Sequence, residues 1–343
     1  MTTTVADTPE LAGPPARGRT RLHRDDRPRR AGWRAVARKE LGDHLHSARF
    51  GILVALVALA GLAAVHSASG PIRSAADAAT QTPSVYLYLF TLSPDRVPAF
   101  HELLGIIGPL LGIAFGFDAI NGERAQRTLP RLVAQPLHRE EVINGKFVAG
   151  IGAISVCLAA LMAIVCAYGM FVLGVAPGLG DLVRIAAFFA VSVVYIALWL
   201  ALALLLSVAT RRAATAALAC IAIWLLLTLF FGLIAGGIAD AVHSVPADQP
   251  TTQQVLDNAR LELDLRRISP DQLYREATGV LLNPAQQTTG IVVSDQSNQA
   301  LPSTLSLGQS MLVAWWQLVI LVALMLAVFA GAYALFMRQE VRA

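Results

Sequence analysis

The chain has 343 residues, of which 55% are hydrophobic and only 15% charged, and its mean hydropathy is +0.58. Soluble domains carry about 25% charged residues, so the composition excludes an ordinary soluble domain and makes lipid the solvent for most of the chain. The net charge of +4 would raise the question of nucleic acid in a soluble protein. Here the basic residues gather at the N-terminus and between apolar runs, with no interleaved aromatics, so no nucleic-acid partner is expected.

In chain order, residues 1–30 are rich in Pro, Arg, Thr and Asp and read as a disordered cytoplasmic tail. No apolar run follows the basic residues closely enough for a cleaved signal peptide. Residues 31–48 predict a basic amphipathic helix. Trp33, Val36, Ala37, Leu41 and Leu45 fall on one face, and Arg34, Arg38, Lys39 and Asp43 lie largely elsewhere. Such a helix beside a membrane span belongs in the headgroup layer. Six apolar runs follow, at 50–68, 99–120, 147–174, 183–209, 213–239 and 311–337. Each is near or above the approximately 20 residues that cross a bilayer. The fold class is therefore an all-α membrane protein with six transmembrane helices, the first five within 49–239 and the sixth within 311–343.

Basic residues set the orientation. The N-terminal tail, the 118–146 segment, the Arg211-Arg212 turn and the Arg338/Arg342 tail are basic, while 69–98 and 174–182 carry only Arg73 and Arg96. By the positive-inside rule, both termini face the cytoplasm of a multi-pass cell (inner) membrane protein. The 240–310 segment is then extracytoplasmic. Val255, Leu256, Ala259 and Leu263 recur at helical spacing, and Ser269-Pro270-Asp271-Gln272 reads as a second helix start with Gln272 reaching back. Leu273, Ala277, Val280 and Leu281 continue its apolar face to Asn283-Pro284, which predicts a small helical cap on the outer face, followed by a loop over 285–310.

Between spans two and three, Thr128 and Pro130 open a short amphipathic helix with Leu129, Leu132 and Val133 on one side, and Pro136 stops it. Held under the membrane, such a helix transmits force when a partner grips it. The run Glu123, Thr128-Leu129, Leu132-Val133, Pro136, Arg139-Glu140 and Gly145-Lys146, with Ala37-Arg38-Lys39-Glu40-Leu41 near the N-terminus, resembles the permease subunits of the ABC-2 superfamily. The likeness extends to the permeases of nitrous oxide reductase maturation exporters and their relatives. Arg127 stands where the pattern has Gly, and Pro130 interrupts what is commonly a continuous helix.

This resemblance implies an exporter in which two permeases, as a homodimer or heterodimer, pair with separate ABC ATPase subunits. The 122–140 segment is then a coupling helix, contacted through Glu123, Thr128, Leu129, Leu132, Pro136, Arg139, Glu140 and Lys146. Trp33, Lys39, Glu40 and Leu41 belong to the elbow helix. Gly145-Lys146 is followed by Phe147 and lacks the glycines of a phosphate loop, so the chain itself holds no cofactor, and ATP and Mg belong to the partner. The chain is thus read as a non-catalytic subunit.

Two other classes compete. His101-Glu102 begins like a zinc-protease motif, but Gly105 stands where the second ligand must be, which speaks against a membrane metallohydrolase and for no bound metal. An ion-coupled secondary transporter normally places ionisable residues at mid-membrane, and the cores of spans one, three, four, five and six hold essentially none. His101 and Glu102 are candidates for an outer gate, against the plainer reading that they cap a helix start. Gly105, Gly108 and Gly112 would allow close helix approach at a dimer interface. The apolar lining favours a small amphipathic or lipid-like cargo. Cys157, Cys166 and Cys220 all fall in apolar runs and give no disulfide framework.

Overall fold

A computed structural model describes residues 32–76, 85–93, 97–125, 138–174, 176–246, 248, 251–290 and 304–339. Among these the chain is helical, with no strand. Helix α1 (Gly32–Leu45) is followed after a two-residue turn by α2 (Ala48–Ala76). Then come the short α3 (Tyr88–Thr91), α4 (Phe100–Gly116), α5 (Asn121–Ala125), α6 (Arg139–Leu173) and α7 (Leu179–Ala209). The segments α8 (Ala213–Leu225) and α9 (Phe231–Val242) are joined through a π-helical turn, Leu226–Phe230. The chain closes with α10 (Thr252–Arg266), α11 (Pro270–Leu282), α12 (Leu307–Val313) and α13 (Trp315–Arg338).

Among the described residues, six helical stretches are long and apolar enough to cross a membrane: Ala48–Arg73, Phe100–Ala125, Arg139–Leu173, Leu179–Ala209, Ala213–Val242 and Trp315–Arg338. They match the six apolar runs in order. The sixth run differs at its start, because Ala314 breaks the helix and Met311–Val313 belong to α12. Local chemistry fixes the ends. Glu102 accepts from the Ala99 N–H at 3.3 Å, Asp181 from Gly178 at 3.0 Å, and Gln254 and Thr251 cap each other at the start of α10. Helix α6 ends on Gly174 at φ +67°, a left-handed position where a side chain would be strained.

The bundle is organised around spans two and four. In their apolar windows 56% of residues are buried within the chain, against 6% for span five. The cause is a small-residue seam. A Cβ on Gly112 would lie 2.5 Å from the Ile196 carbonyl oxygen, and one on Gly116 would lie 2.9 Å from that of Leu200. Only glycine lets α4 approach the α7 backbone this closely. The expectation that Gly105, Gly108 and Gly112 serve a dimer interface is therefore corrected. Gly108 and Gly112 face Ile196 and Trp199 of the same chain, and Gly105 faces Asp271 and Tyr274.

The helices of the 252–290 region form at the predicted places, but α11 does not sit on top of the bundle as a cap. Arg184 donates to the Leu281 carbonyl at 2.7 Å, while Tyr274 meets Ser192 at 2.9 Å and stacks on Tyr195 with ring centroids 4.4 Å apart. Ser192 lies about 20 Å along α7 from its start at 1.5 Å per residue, so α11 runs antiparallel to α7 deep into the bundle. At its inner end the Ser269 hydroxyl donates to the Leu227 carbonyl at 2.9 Å, in the middle of span five. The apolar face seen in the sequence drives this insertion. Leu273, Tyr274, Ala277, Val280 and Leu281 are all buried. Gln272 does not reach back to the helix start; its amide donates to Glu276 at 3.0 Å instead.

Candidate functional site

The end of the bundle that carries α1 and α5, here called the base, is where most of the sequence-predicted functional residues stand. Helix α1 lies along the first turns of α6. Gly145 makes this contact, since a Cβ there would fall 2.7 Å from Val36 and 3.0 Å from the Trp33 carbonyl oxygen. Leu41 faces Gly152 further along. The Trp33 ring itself lies 5.4 Å from the Arg34 guanidinium. Glu141 pins both helix starts, with one carboxylate oxygen accepting from the Gly32 N–H at 2.7 Å and the other from His138 at 2.9 Å.

One residue after Gly145, the Lys146 ammonium lies 2.7 Å from Glu123 and 3.1 Å from Glu40, with only 4% of its side chain exposed. A single buried cation thus joins α1, α5 and α6. The Gly-Lys pair has two distinct jobs here: glycine admits α1, and lysine pairs with the two carboxylates that arrive with α1 and α5. Around it opens a cavity of about 430 Å³, lined by Lys39, Asp43, His44, Arg49 and Asp118 together with the triad. Its carboxylates are each paired with a neighbouring cation. Lys39 sits 3.3 Å from Asp43 and 3.7 Å from Glu40, and Arg49 pairs with Asp118. His44 rests edge-on against Phe115 at 5.2 Å, and burial holds its imidazole below the ordinary value of 6.5.

The structure gathers Lys39, Glu40, Glu123 and Lys146 into this one cluster. Arg139 and Glu140 lie on another face: Arg139 donates to the Gln339 carbonyl at 3.0 Å, and Glu140 accepts from the Tyr333 hydroxyl at 3.2 Å. Thr128, Leu129, Leu132 and Pro136 lie outside the described residues. His101 and Glu102 stand at the opposite end. His101 is buried, with Nδ1 2.9 Å from the Phe90 carbonyl oxygen, and Glu102 caps the start of α4.

Three groups at the base escaped the sequence reading. The Ser207 hydroxyl accepts from the backbone N–H groups of Ile120 and Asn121 at 3.1 and 3.2 Å, tying the end of α7 to the start of α5. Arg49, at the start of α2, reaches Asp118 and lies 5.4 Å from the Phe117 ring. Gln339 collects contacts from three elements. Lone polar residues at the ends of apolar runs carry no pattern of their own, and only the paired acids and bases between the runs could have hinted at Arg49.

Six candidate membrane spans among the described residues, with α1 admitted by Gly145 and a lysine-centred junction at the start of span three, define a multi-pass membrane protein. Residues 34–341 match the family described as ABC-2 family transporter protein, and the chain belongs to that family. A relative from Stutzerimonas stutzeri, named "Probable ABC transporter permease protein NosY", is 31% identical over 210 residues, covering 58% of this chain and 67% of the relative.

Proposed function

We propose that the chain is the membrane-spanning subunit of an ABC-2 exporter, driven by an ATPase on a separate polypeptide that docks at the base. In this reading the base and both termini are cytoplasmic, following the basic residues that cluster there. Helix α1 is the elbow helix in the headgroup layer, and the 122–140 segment is the coupling helix. Two such permeases, identical or different, work with two ATPases, which hold ATP and Mg. The cargo is small and amphipathic or lipid-like, in keeping with spans that offer few polar anchors.

The Lys146 junction carries this reading. A coupling segment has to pass force to helices instead of flexing on its own, and Glu123 is joined through a buried ammonium to both α1 and α6. A push at the segment then moves those helices as one body. The test is co-purification. The wild-type chain, extracted with its native partners, is expected to retain an ABC ATPase and raise its turnover, and Glu123→Ala is expected to weaken that stimulation without loss of insertion. A well-inserted chain that retains and stimulates no ATPase contradicts the proposal.

A further inference from the structure

Gln339 stands one residue beyond α13 and is the point where both flanks of the 126–137 segment converge. On the near flank, Arg124 of α5 donates to the Gln339 side-chain oxygen. On the far flank, Arg139 at the first turn of α6 donates to the Gln339 main-chain oxygen at 3.0 Å. The Gln339 amide nitrogen in turn donates to the Val208 carbonyl at the end of α7 at 2.9 Å, and Arg124 reaches the same carbonyl at 3.3 Å.

From this convergence we infer that Gln339 is a positioning residue, fixing the two flanks of the coupling segment to the ends of spans four and six so that displacement of the segment reaches those spans. The inference rests on the coupling role proposed above. The chemistry of the position is restrictive. A guanidinium only donates and a main-chain carbonyl only accepts, so the side chain between them must offer an acceptor and a donor at one tip. A primary amide does this. A carboxylate keeps the contact to Arg124 but loses the one to Val208, and an aliphatic side chain loses both. The far end of the same helix pair holds α11, where Gln317 of α13 donates to Glu276 at 2.9 Å and Arg184 of α7 holds the Leu281 carbonyl at 2.7 Å. Spans four and six therefore run as a linked pair from the coupling segment to the inserted helix.

The experiment uses the full chain with its co-purifying ATPase in lipid nanodiscs, as wild type, Gln339→Glu and Gln339→Leu. It reads hydrogen exchange at Pro270–Leu282 with and without a non-hydrolysable ATP analogue, alongside KM for ATP and subunit stoichiometry. Wild type is expected to show a nucleotide-dependent change at Pro270–Leu282. Gln339→Leu should cut that response by about fivefold or more, the lower range of site-to-site coupling, and Gln339→Glu should fall between. Stoichiometry, KM and nucleotide-free exchange should stay as in wild type. An unchanged response in Gln339→Leu overturns the inference, as does a nucleotide-insensitive α11 in wild type. Raised nucleotide-free exchange throughout the variant also overturns it, because that marks a role in stability alone. Failure of the wild-type chain to hold an ABC ATPase instead removes the coupling reading beneath it.

Discussion

Replacing Lys146 with Met keeps the length and the apolar stem but removes the charge that Glu40 and Glu123 share. Breaking a buried ion pair by deleting one partner costs about 3–5 kcal/mol, because the remaining charge is left without compensation. Both carboxylates keep some contact with solvent, 15% and 16% exposed, and Glu40 retains Lys39 at 3.7 Å. The cost should therefore sit at the low end, about 3 kcal/mol. At 1.4 kcal/mol per decade this speeds local opening roughly 100-fold. The loss should be confined to α1 and α5, so the assay is hydrogen exchange resolved by segment. Protection in Gly32–Leu45 should collapse while Leu179–Ala209 keeps its own. A second variant checks the physics: with Glu40→Gln and Glu123→Gln added to Lys146→Met, no buried charge remains uncompensated, and more than half of the lost protection should return. Unchanged exchange in α1 of Lys146→Met, or a triple variant worse than the single, would refute the reasoning.

Gly112→Ala brings a methyl group to 2.5 Å from the Ile196 oxygen and 2.8 Å from the Leu200 nitrogen, both backbone atoms that cannot swing aside. It should sharply lower the yield of folded protein by size-exclusion chromatography, whereas Gly237→Ala, with open space around it, should behave as wild type. Gly145→Ala meets the Val36 side chain at 2.7 Å and should cost about 1–3 kcal/mol of overpacking, seen as raised exchange in α1 with span four unaffected. His44 supplies a pH dependence. Because burial lowers its folded-state value below 6.5, the folded form binds fewer protons than the unfolded one, so its stabilising effect is whole above pH 6.5 and is lost as pH falls through that value towards the folded one. Protection of α1 should decline over that range in wild type and decline less in His44→Phe, which keeps an aromatic ring against Phe115.

The spans were legible because apolar runs near bilayer length are set by the hydrocarbon itself, and the turn at Arg211-Arg212 because two charges cannot remain in it. The paired helices of 252–290 were legible from their periodicity and, for the second, from its Ser269-Pro270 start. The depth of α11 was not, since a face of Leu273, Ala277, Val280 and Leu281 reads the same whether it lies on a bundle or within one. Its insertion depends on the Ser192 hydroxyl of α7 meeting the Tyr274 hydroxyl and on the Tyr195 ring offering a stacking face at the right height, which is a property of the assembled bundle. The glycines of span two announced close packing but not the partners, which are α7 for Gly108 and Gly112 and α11 for Gly105. At the base, the Gly-Lys motif lies where α1 packs on α6. The geometry that pairs Lys146 with both Glu40 and Glu123, residues far apart in sequence, and that brings Arg124 and Arg139 to one glutamine, arises only when α1, α5 and α13 meet.

In the proposed topology the α5–α6 junction faces the cytoplasm and the inserted helix α11 enters from the other side. Single cysteines at His138 and at Gln253, in chains whose Cys157, Cys166 and Cys220 are replaced, test it with a membrane-impermeant maleimide on sealed vesicles of known orientation. The Gln253 site is expected to label only from the outside and the His138 site only from the cytoplasmic side. Labelling of both sites from one side, or of the His138 site from the outside, contradicts it.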